Sequence, residues 1–513
     1  MAQAHGDRLS PIDASFLAQE GAHSHMHVGA VTIFAGPPPE YEDLLTHIRS
    51  RLHLVPRYRQ KLAVPPIETG RPMWVDDTSF NLEYHLRHTA LPSPGSEEQL
   101  SALVARIFSQ QLDRSKPLWE MWLVQGLENG RFALISKTHH ALVDGVAGVD
   151  LATVIFDLSP VPQRIEHDGA PWRPQAEPSA LELAARGVKG LIRTPFVLAS
   201  RAASAAARPQ ETIDSLREAA EGVGEIVWAG LNPAPPTPLN VPIGPHRRFV
   251  FVRNELADFK TVKNAFGGTV NDVVLTVVSG ALRTWLRSRG VRTEGLELRA
   301  LVPVSIRSKE EQGHLGNRIA VMRGPLPVYI EDPVARLRVV KQAMDGLKES
   351  KQAVGAEVLA SVQEFAPPTI LAQASRLNFS TRLFNLIVTN VPGPQFPLYV
   401  LGRRLEDLFP IAFLPSDHSL AIAIMSYDGG MDFGLLGDYD ALPDLAELGE
   451  MVQAALAELV DASTKRSAPP KKAAAAARRK PAAKKPAPRR TAAAKKPAPR
   501  PKPAAKKPAA KSS

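Results

Sequence analysis

The sequence predicts an α/β fold made of two halves, and three observations support this prediction. Apolar stretches with the period of strands alternate with stretches that have the period of helices. Prolines crowd both ends of a connecting segment near the middle of the chain. The 513 residues also exceed what one ordinary hydrophobic core organises. We expect an N-terminal domain at 1–160, a proline-bounded helical crossover at 161–246, a C-terminal domain at 247–463 and a disordered tail at 464–513.

The N-terminal half combines helix patterns with one buried strand. Ser96 precedes Gln99 by three residues, which is the capping-box pattern that marks the start of a helix. Residues 132–136 form an apolar run that is typical of a buried strand. The apolar helix faces are Leu44, Leu45, Ile48 and Leu52 within 43–54, Leu100, Leu103, Val104 and Ile107 after Ser96, and Val146, Val149, Ala152 and Ile155 after the strand.

The crossover contains one amphipathic segment, residues 179–193. Its apolar side chains share one helical face, while Arg186, Lys189 and Arg193 share the opposite face. A basic amphipathic helix of this kind can lie in a membrane interface. Packing against its own domain is the commoner arrangement, and we favour it here.

The C-terminal half repeats the mixture of helices and strands. Helices are predicted at 271–288 and 333–349, with Asp332 as the N-cap of the second. Strands at 420–425 and 433–436 flank an Asp-Gly-Gly turn at 428–430, which predicts a hairpin.

The net charge of +10 resides in the tail. Residues 464–513 contain 18 Lys and Arg side chains and no acid, so the preceding residues hold 44 basic and 52 acidic side chains. The high pI therefore does not indicate a basic folded domain. A tail of Lys, Ala and Pro cannot bury enough surface to fold. It serves as a solubilising extension, attaches to anionic lipid, or binds the phosphates of DNA.

Composition excludes several classes of protein. The absence of cysteine excludes disulfide scaffolds, cysteine nucleophiles and cysteine metal sites. The N-terminus lacks a basic segment followed by an apolar run, so no signal peptide is expected. No run of ~18 apolar residues predicts a membrane-spanning helix. We expect a cytoplasmic protein that is peripheral to a membrane or lipid droplet.

The strongest chemical pattern is His-His-x-x-x-Asp-Gly at residues 139–145. It follows the buried strand and precedes a predicted helix, which is where α/β folds place ligands. A neutral imidazole can take a proton from a hydroxyl or an amine near neutral pH. The pattern predicts one histidine as a general base. The other histidine and Asp144 would hold the geometry, and Gly145 would allow a tight turn.

Other interpretations of the histidines carry less weight. A metal site at the pair would need further ligands that the spacing does not supply. His139 and Asp144 also match the shorter His-x4-Asp pattern of some glycerolipid acyltransferases. His23, His25 and His27 alternate and would share one face of a strand, which is compatible with a metal site. A strand that ends near the catalytic pair is the favoured interpretation.

The motif resembles that of the acyltransferase superfamily that includes chloramphenicol acetyltransferase-like enzymes and peptide-synthetase condensation domains. Within this superfamily the chain resembles bacterial wax ester synthase/acyl-CoA:diacylglycerol acyltransferases over about residues 8–460. The supporting segments are Leu-Ser-Pro-Ile-Asp-Ala-Ser-Phe at 9–16, Pro-Leu-Trp-Glu at 117–120, Asn271-Asp272, Val-Pro-Val-Ser-Ile-Arg at 302–307, Gly316-Asn317 and Val-Thr-Asn-Val-Pro-Gly-Pro at 388–394.

This resemblance implies two chloramphenicol acetyltransferase-like domains with mixed sheets around a central channel. It implies acyl-CoA and diacylglycerol or a long-chain alcohol as substrates, with no cofactor and no metal. Direct transfer is implied as well, because no G-x-S-x-G nucleophile elbow occurs. The implied roles are His140 as general base, His139 for orientation, Asp144 as a structural partner of Arg307, Gly145 at the turn and Asn271 as oxyanion donor, although Asn271 also suits a plain helix start.

The sequence is compatible with two alternative functions. A condensation-type acyltransferase would act on an amine or a polyketide hydroxyl, and it would be expected beside a carrier-protein domain. A non-enzymatic protein of lipid droplets or DNA would act through the basic tail, although the intact motif argues against this. Association with a membrane surface or lipid droplet is expected, nucleic acid would bind through the tail only, and no obligate protein partner is expected.

Overall fold

The computed structural model describes residues 7–66, 71–142, 155–162, 172–183, 233–305, 319–349 and 380–467. These residues belong to one compact unit that ends at Ser467. Several sequence-based expectations lie outside the described residues: Asp144, Gly145, Arg307, Gly316 and Asn317, most of the helices expected at 146–155 and 179–193, and the tail beyond Ser467.

Helices and strands alternate through the described residues. The helices are α1 (Pro11–Gln19), α2 (Tyr41–Arg51), α3 (Leu82–His85), α4 (Glu97–Ser109), α5 (Leu256–Phe266), α6 (Val270–Ser288), α7 (Pro333–Glu349) and α8 (Leu445–Ser467). The strands are β1 (His27–Phe34), β2 (Gln60–Ala63), β3 (Met73–Asp76), β4 (Leu86–Ala90), β5 (Trp119–Gln125), β6 (Phe132–His139), β7 (Arg247–Glu255), β8 (Leu298–Ser305), β9 (Ile319–Leu326), β10 (Leu386–Pro392), β11 (Tyr399–Val400), β12 (Arg403–Ile411), β13 (Leu420–Tyr427) and β14 (Gly430–Asp438). Helix α8 continues to Ser467, so its last turn occupies the first residues of the segment expected to be disordered from 464.

Local sequence signals decide where two of the helices begin. At α4, Ser96 Oγ accepts a hydrogen bond from the Gln99 backbone N, and Gln99 Oε1 accepts one from the Ser96 backbone N at 2.8 Å. The predicted capping box is therefore confirmed. Asp332 caps α7 as predicted, because its Oδ1 accepts a hydrogen bond from the backbone N of Ala335 at 2.6 Å.

The first sheet draws strands from both halves of the sequence. Its order is β11-β12-β1-β6-β5-β4. Strands β4 and β5 run parallel, while the other neighbours run antiparallel, so the sheet is mixed. Strand β12 pairs with β1, where Gly29 lies opposite Ile411. Residues from 399 to 411 therefore complete a sheet whose other members lie before residue 140.

The second sheet is also mixed, with the order β7-β14-β13-β10-β8-β9. Strand β10 runs parallel to both of its neighbours, and the remaining pairs are antiparallel. The hairpin predicted at 428–430 is confirmed, since Tyr427 pairs with Gly430 across the turn. Asp428 and Gly429 have φ values of 41° and 93°, the left-handed backbone that a two-residue hairpin turn requires.

One apolar cluster joins the two sheets. It contains Val31 and Ile135 from the first sheet together with Leu301, Ile387 and Ala423 from the second. A separate cluster lies between the second sheet and helices α5 to α8, and another lies between the first sheet and helices α1 to α3. The predicted α/β architecture with mixed sheets is confirmed, and the shared cluster defines a seam where the sheets meet.

Among the described helices, none by itself is long and apolar enough to cross a membrane. The adjoining pair α5 and α6, which is bent by 102° at its junction, reaches that length and composition only when its two members are taken together.

Candidate active site

Strand β6 carries the histidine pair to the end of the first sheet. All of its residues are buried, and the strand continues three residues past the predicted stretch 132–136, so that His139 is its last residue. His27 lies opposite His139 in the β1–β6 pairing. His140 begins the following turn, and its backbone N donates to the carbonyl of Met26 at 2.8 Å. The pair thus lies at a strand end, as the sequence pattern indicated.

The imidazole of His140 lies at the seam between the two sheets. It stacks on Phe16 with ring centroids 4.0 Å apart, and Phe413 of the shared apolar cluster approaches it edge-on at 5.7 Å. Burial, together with the adjacent His139, lowers the pKa of His140 to about 4. Its Nδ1 atom is buried without a hydrogen-bond partner among the described residues. At neutral pH the ring is therefore uncharged and able to accept a proton.

The ring of His139 ties the strand end to the turn. The side chain is fully buried. Its Nδ1 accepts a hydrogen bond from the backbone N of Ala141 at 3.0 Å, which requires an Nδ1 atom without a proton. Its Nε2 lies 3.3 Å from Oε1 of Glu20. The Nδ1 atom is thus bonded to the turn, whereas Nε2 is buried beside the carboxylate without a hydrogen bond to the described residues.

Glu20 and Phe16 are site residues that sequence reasoning missed. Glu20 follows α1, and its side chain is 1% exposed although it is charged. Phe16 belongs to the segment 9–16, which resembles the family's start, yet nothing in that pattern assigns its ring to His140. No spacing rule links these residues to the histidine pair. They reach it because β1 pairs with β6 and brings the N-terminal helix to the end of that strand.

The alternating histidines do not form one strand face. Strand β1 begins at His27, so His23 and His25 precede it. The rings of His25 and His27 have centroids 5.3 Å apart, and His27 lies 5.9 Å from His139, whereas His23 is exposed. In the part of the chain that the structure describes, no group of three or more His, Asp or Glu side chains is arranged to hold a metal ion.

The segment 117–120 supports the strand that carries the pair. The carbonyl of Leu118 accepts a hydrogen bond from the backbone N of His139 at 2.9 Å. The carboxylate of Glu120 binds Lys137 Nζ at 3.0 Å. Lys137 is fully buried and also donates to two carbonyls at the C-terminal end of α4. A buried, fully bonded cation therefore anchors β6 two residues before the pair.

Asn271 lies in the first turn of α6, whose N-cap is Thr269. Thr269 and the fully buried Asp272 form a capping box that holds this helix start. The Oδ1 atom of Asn271 accepts a hydrogen bond from Nδ2 of Asn390 at 3.3 Å. The fold thereby joins two segments that resemble the family, 271–272 and 388–394. Among the described residues, no hydrogen bond or ring contact joins Asn271 to His140.

Two family profiles match most of the chain. The wax ester synthase/diacylglycerol acyltransferase catalytic domain matches residues 9–274, a range that includes the histidine pair. The C-terminal domain of the same family matches residues 315–460. The chain belongs to the wax ester synthase/diacylglycerol acyltransferase family. It is accordingly an acyltransferase, and every strand of the two mixed sheets except β8 lies within the matched ranges.

Curated relatives of this acyltransferase match it over nearly its whole length. A probable diacylglycerol O-acyltransferase of Mycobacterium tuberculosis is 33% identical over 464 residues, which cover 90% of this chain and 97% of the relative. A putative diacylglycerol O-acyltransferase of Mycobacterium bovis shows the same identity and coverage.

Solved structures support the same assignment. The wax ester synthase/diacylglycerol acyltransferase of Marinobacter aquaeolei VT8 superposes with a TM-score of 0.62 at 29% identity, covering 89% of the acyltransferase described here and 100% of the Marinobacter chain. The first condensation domain of the calcium-dependent antibiotic synthetase superposes with a TM-score of 0.56 at 16% identity, covering 91% of this chain and 98% of that domain. The similarity to the condensation domain shows a shared fold alone. This fold agrees with the one implied by the resemblance of the His-His-x-x-x-Asp-Gly motif.

Proposed function

We propose that this acyltransferase moves a fatty acyl group from acyl-CoA to the hydroxyl group of diacylglycerol or of a long-chain alcohol. The observation that carries the proposal is the uncharged imidazole of His140 at the seam between the sheets. The names of the Mycobacterium and Marinobacter relatives support both acceptors. Acyl-CoA enters as a substrate, and no step of the proposal uses a metal or a cofactor.

His140 acts as the general base in this proposal. It removes the proton from the acceptor hydroxyl while the oxygen forms a bond to the thioester carbonyl carbon. When the tetrahedral intermediate collapses, the carbon–sulfur bond breaks and the protonated ring returns its proton to the departing thiolate. The lowered pKa of His140 means that the ring holds no proton at neutral pH, so the proton-accepting form is the one present.

Asn271 donates a hydrogen bond to the oxyanion of the tetrahedral intermediate. Two features of the structure support this part of the proposal. The Oδ1 atom of Asn271 accepts the hydrogen bond from Asn390. The NH₂ group of Asn271 has no partner among the described residues. The side chain also projects from the first turn of α6, where the helix dipole favours negative charge.

The remaining motif residues support the base. His139 orients the turn through the hydrogen bond that its Nδ1 accepts from Ala141. Asp144 is proposed to hold the geometry after the turn, with Arg307 as its partner, and Gly145 to allow a tight backbone. Asp144, Gly145 and Arg307 lie outside the described residues. Their roles are supported by the motif and by the segment 302–307 that resembles the family.

A comparison of acceptors tests the proposed reaction. The purified full chain is assayed with a radiolabelled long-chain acyl-CoA and with diacylglycerol, hexadecanol or hexadecylamine in parallel. We expect triacylglycerol or wax ester, with amide formation slower by at least about tenfold. An alkylamine has a pKa near that of lysine, so at neutral pH it is largely protonated and its nitrogen has no free electron pair with which to attack the thioester. Amide formation that matches or exceeds ester formation would instead support a condensation-type enzyme.

We also propose that residues 464–513 attach the enzyme to an anionic membrane or lipid-droplet surface. The segment holds 18 cations and no acid, and each cation near such a surface contributes about 1 kcal/mol. The preceding residues carry an excess of acids, so attraction to anionic lipid depends on this segment. Diacylglycerol and long-chain alcohols reside at such surfaces, so attachment there would bring the enzyme to its acceptors.

Removing the tail tests the attachment. We expect the full chain to sediment with phosphatidylserine-containing vesicles at low salt, and a chain that ends at Ser467 to stay in the supernatant. Vesicles of phosphatidylcholine alone serve as the control, since they carry no net charge. Equal binding of both chains to the anionic vesicles would contradict the proposal. Binding of the full chain to DNA but not to vesicles would assign the tail to nucleic acid instead.

A further inference from the structure

The carboxylate of Glu20 is buried among several hydrogen-bond donors. The backbone N of Met26 donates to Oε1 at 3.2 Å, and Nε2 of His139 lies 3.3 Å from the same atom. The side chains of Gln111 and Arg114 donate to Oε2, at 3.2 Å from Gln111 Nε2 and 3.0 Å from Arg114 Nε. The three hydrogen bonds, from Met26, Gln111 and Arg114, end on an ionised acceptor, which makes them stronger than bonds between uncharged groups.

The carboxylate stays ionised in this environment. Burial alone would raise the pKa of Glu20, but the neighbouring His139, His27 and Arg114 outweigh it and hold the pKa well below its usual range. The negative charge is therefore present at every pH at which the enzyme would act. It faces His139 directly, on the side of the ring away from the turn.

Two routes lead from Glu20 to the turn that begins with His140. Through the strand, Glu20 holds the backbone N of Met26, whose carbonyl accepts the hydrogen bond from the backbone N of His140 at 2.8 Å. Through the ring, Glu20 faces Nε2 of His139, whose Nδ1 accepts the hydrogen bond from Ala141. The backbone N–H groups of His140 and Ala141 are thus bonded to Met26 and His139, and both of these residues contact the carboxylate of Glu20.

The chemistry of these contacts selects one tautomer of His139. Because Nδ1 accepts from Ala141, the ring proton of the neutral form must sit on Nε2, which lies 3.3 Å from Oε1 of Glu20. The negative charge of that carboxylate favours a proton at this position. A glutamine at position 20 would turn its NH₂ group toward at least one donor. If that donor is His139 Nε2, the ring proton moves to Nδ1 and opposes the N–H of Ala141.

We propose that Glu20 is a positioning residue for acyl transfer, which holds His139 in its Nε2-protonated tautomer and thereby aligns the turn that carries His140. The proposal rests on the proposed role of His140 as the base. Glu20 touches no reacting atom in this scheme. Its contribution comes from keeping the base aligned with the acceptor hydroxyl, as the second layer of polar partners does in other enzyme sites.

The test compares Glu20→Gln with Glu97→Gln. Glu97 also pairs with an arginine, at 2.7 Å from Arg253 Nη1, but it lies exposed at the start of α4 and serves as the matched control. We expect Glu20→Gln to lower kcat by about 100-fold while KM for acyl-CoA changes by less than about threefold. Glu97→Gln should keep the kcat of the parent enzyme. Glu20→Asp, which retains the carboxylate, should recover part of the lost turnover.

A spectroscopic measurement on the parent enzyme makes the test independent of how well the variant folds. In ¹⁵N-histidine-labelled protein, we expect the ring nitrogens of His139, assigned by their loss in His139→Gln, to show a proton on Nε2 and none on Nδ1. Glu20→Gln should shift that proton toward Nδ1. A proton on Nδ1 of His139 in the parent enzyme would overturn the proposal, as would a Glu20→Gln variant with the parent's kcat.

The same assays separate this inference from the proposed function. If His140→Ala retains turnover, the role of His140 fails and the positioning role fails with it. If His140→Ala is inactive while Glu20→Gln matches the parent enzyme, the base assignment stands and only the role of Glu20 is overturned.

Discussion

Replacing His140 by Ala is expected to lower kcat for ester formation by about 10²- to 10⁴-fold, the usual contribution of a positioned general base. The alanine leaves no group at this position that can take the proton of the acceptor hydroxyl. Substrate binding should survive, so KM for acyl-CoA is expected to change little. The measurement is steady-state turnover with diacylglycerol and with hexadecanol at neutral pH.

Folding of the His140→Ala variant can be checked separately from its activity. The ring packs on Phe16 and Phe413, so its loss is expected to cost roughly 1 kcal/mol of stability from the aromatic contacts. Urea unfolding followed by circular dichroism measures this cost. His88→Ala, at an exposed position of β4, is the matched control and should retain full activity. Turnover within about threefold of the parent enzyme in folded His140→Ala would remove His140 as the base.

Replacing Asn271 by Ala is expected to lower kcat by about 10²- to 10³-fold, the loss that accompanies removal of one oxyanion donor. The substitution removes an NH₂ group that has no partner among the described residues and that the proposal assigns to the intermediate. The interaction forms only when negative charge develops on the carbonyl oxygen. KM is therefore expected to stay nearly constant while kcat falls.

The control for Asn271→Ala is the same change at Asn264, an exposed residue of the neighbouring helix α5. Asn264→Ala should leave turnover unchanged. The start of α6 should persist in Asn271→Ala, because Thr269 and Asp272 cap it without help from Asn271. Loss of the hydrogen bond to Asn390 costs about 1 kcal/mol. A folded Asn271→Ala variant with unchanged kcat would assign Asn271 to the helix start alone.

Features that depend on neighbours in sequence were predicted well. The capping box of Ser96 and Gln99, the cap at Asp332 and the hairpin at 428–430 all appear as expected. Each depends on hydrogen bonds or φ preferences within about four residues, so the local sequence contains the whole interaction. The buried strand predicted at 132–136 is also confirmed, because its apolar residues are consecutive, and it continues to His139.

Features that depend on distant partners were not accessible from sequence patterns. The insertion of β12 beside β1 needs two strands from opposite halves of the chain to meet. In the sequence, Glu20 is an ordinary acidic residue after a predicted N-terminal segment. Only the pairing of β1 with β6 places its carboxylate beside His139. A buried carboxylate has no periodicity or spacing that distinguishes it from an exposed one, because its role comes from the donors that surround it.

The sequence by itself determined the family, the fold class and the identity of the proposed base, because a motif at a strand end and matching segments along the chain contain that information. Only the tertiary structure determined the protonation state of that base. Burial between the two sheets moves the pKa of His140 from its ordinary value of 6.5 to about 4. Desolvation of this kind depends on Phe16 and Phe413, which come from distant parts of the chain, so no local pattern around residues 139–145 could reveal it.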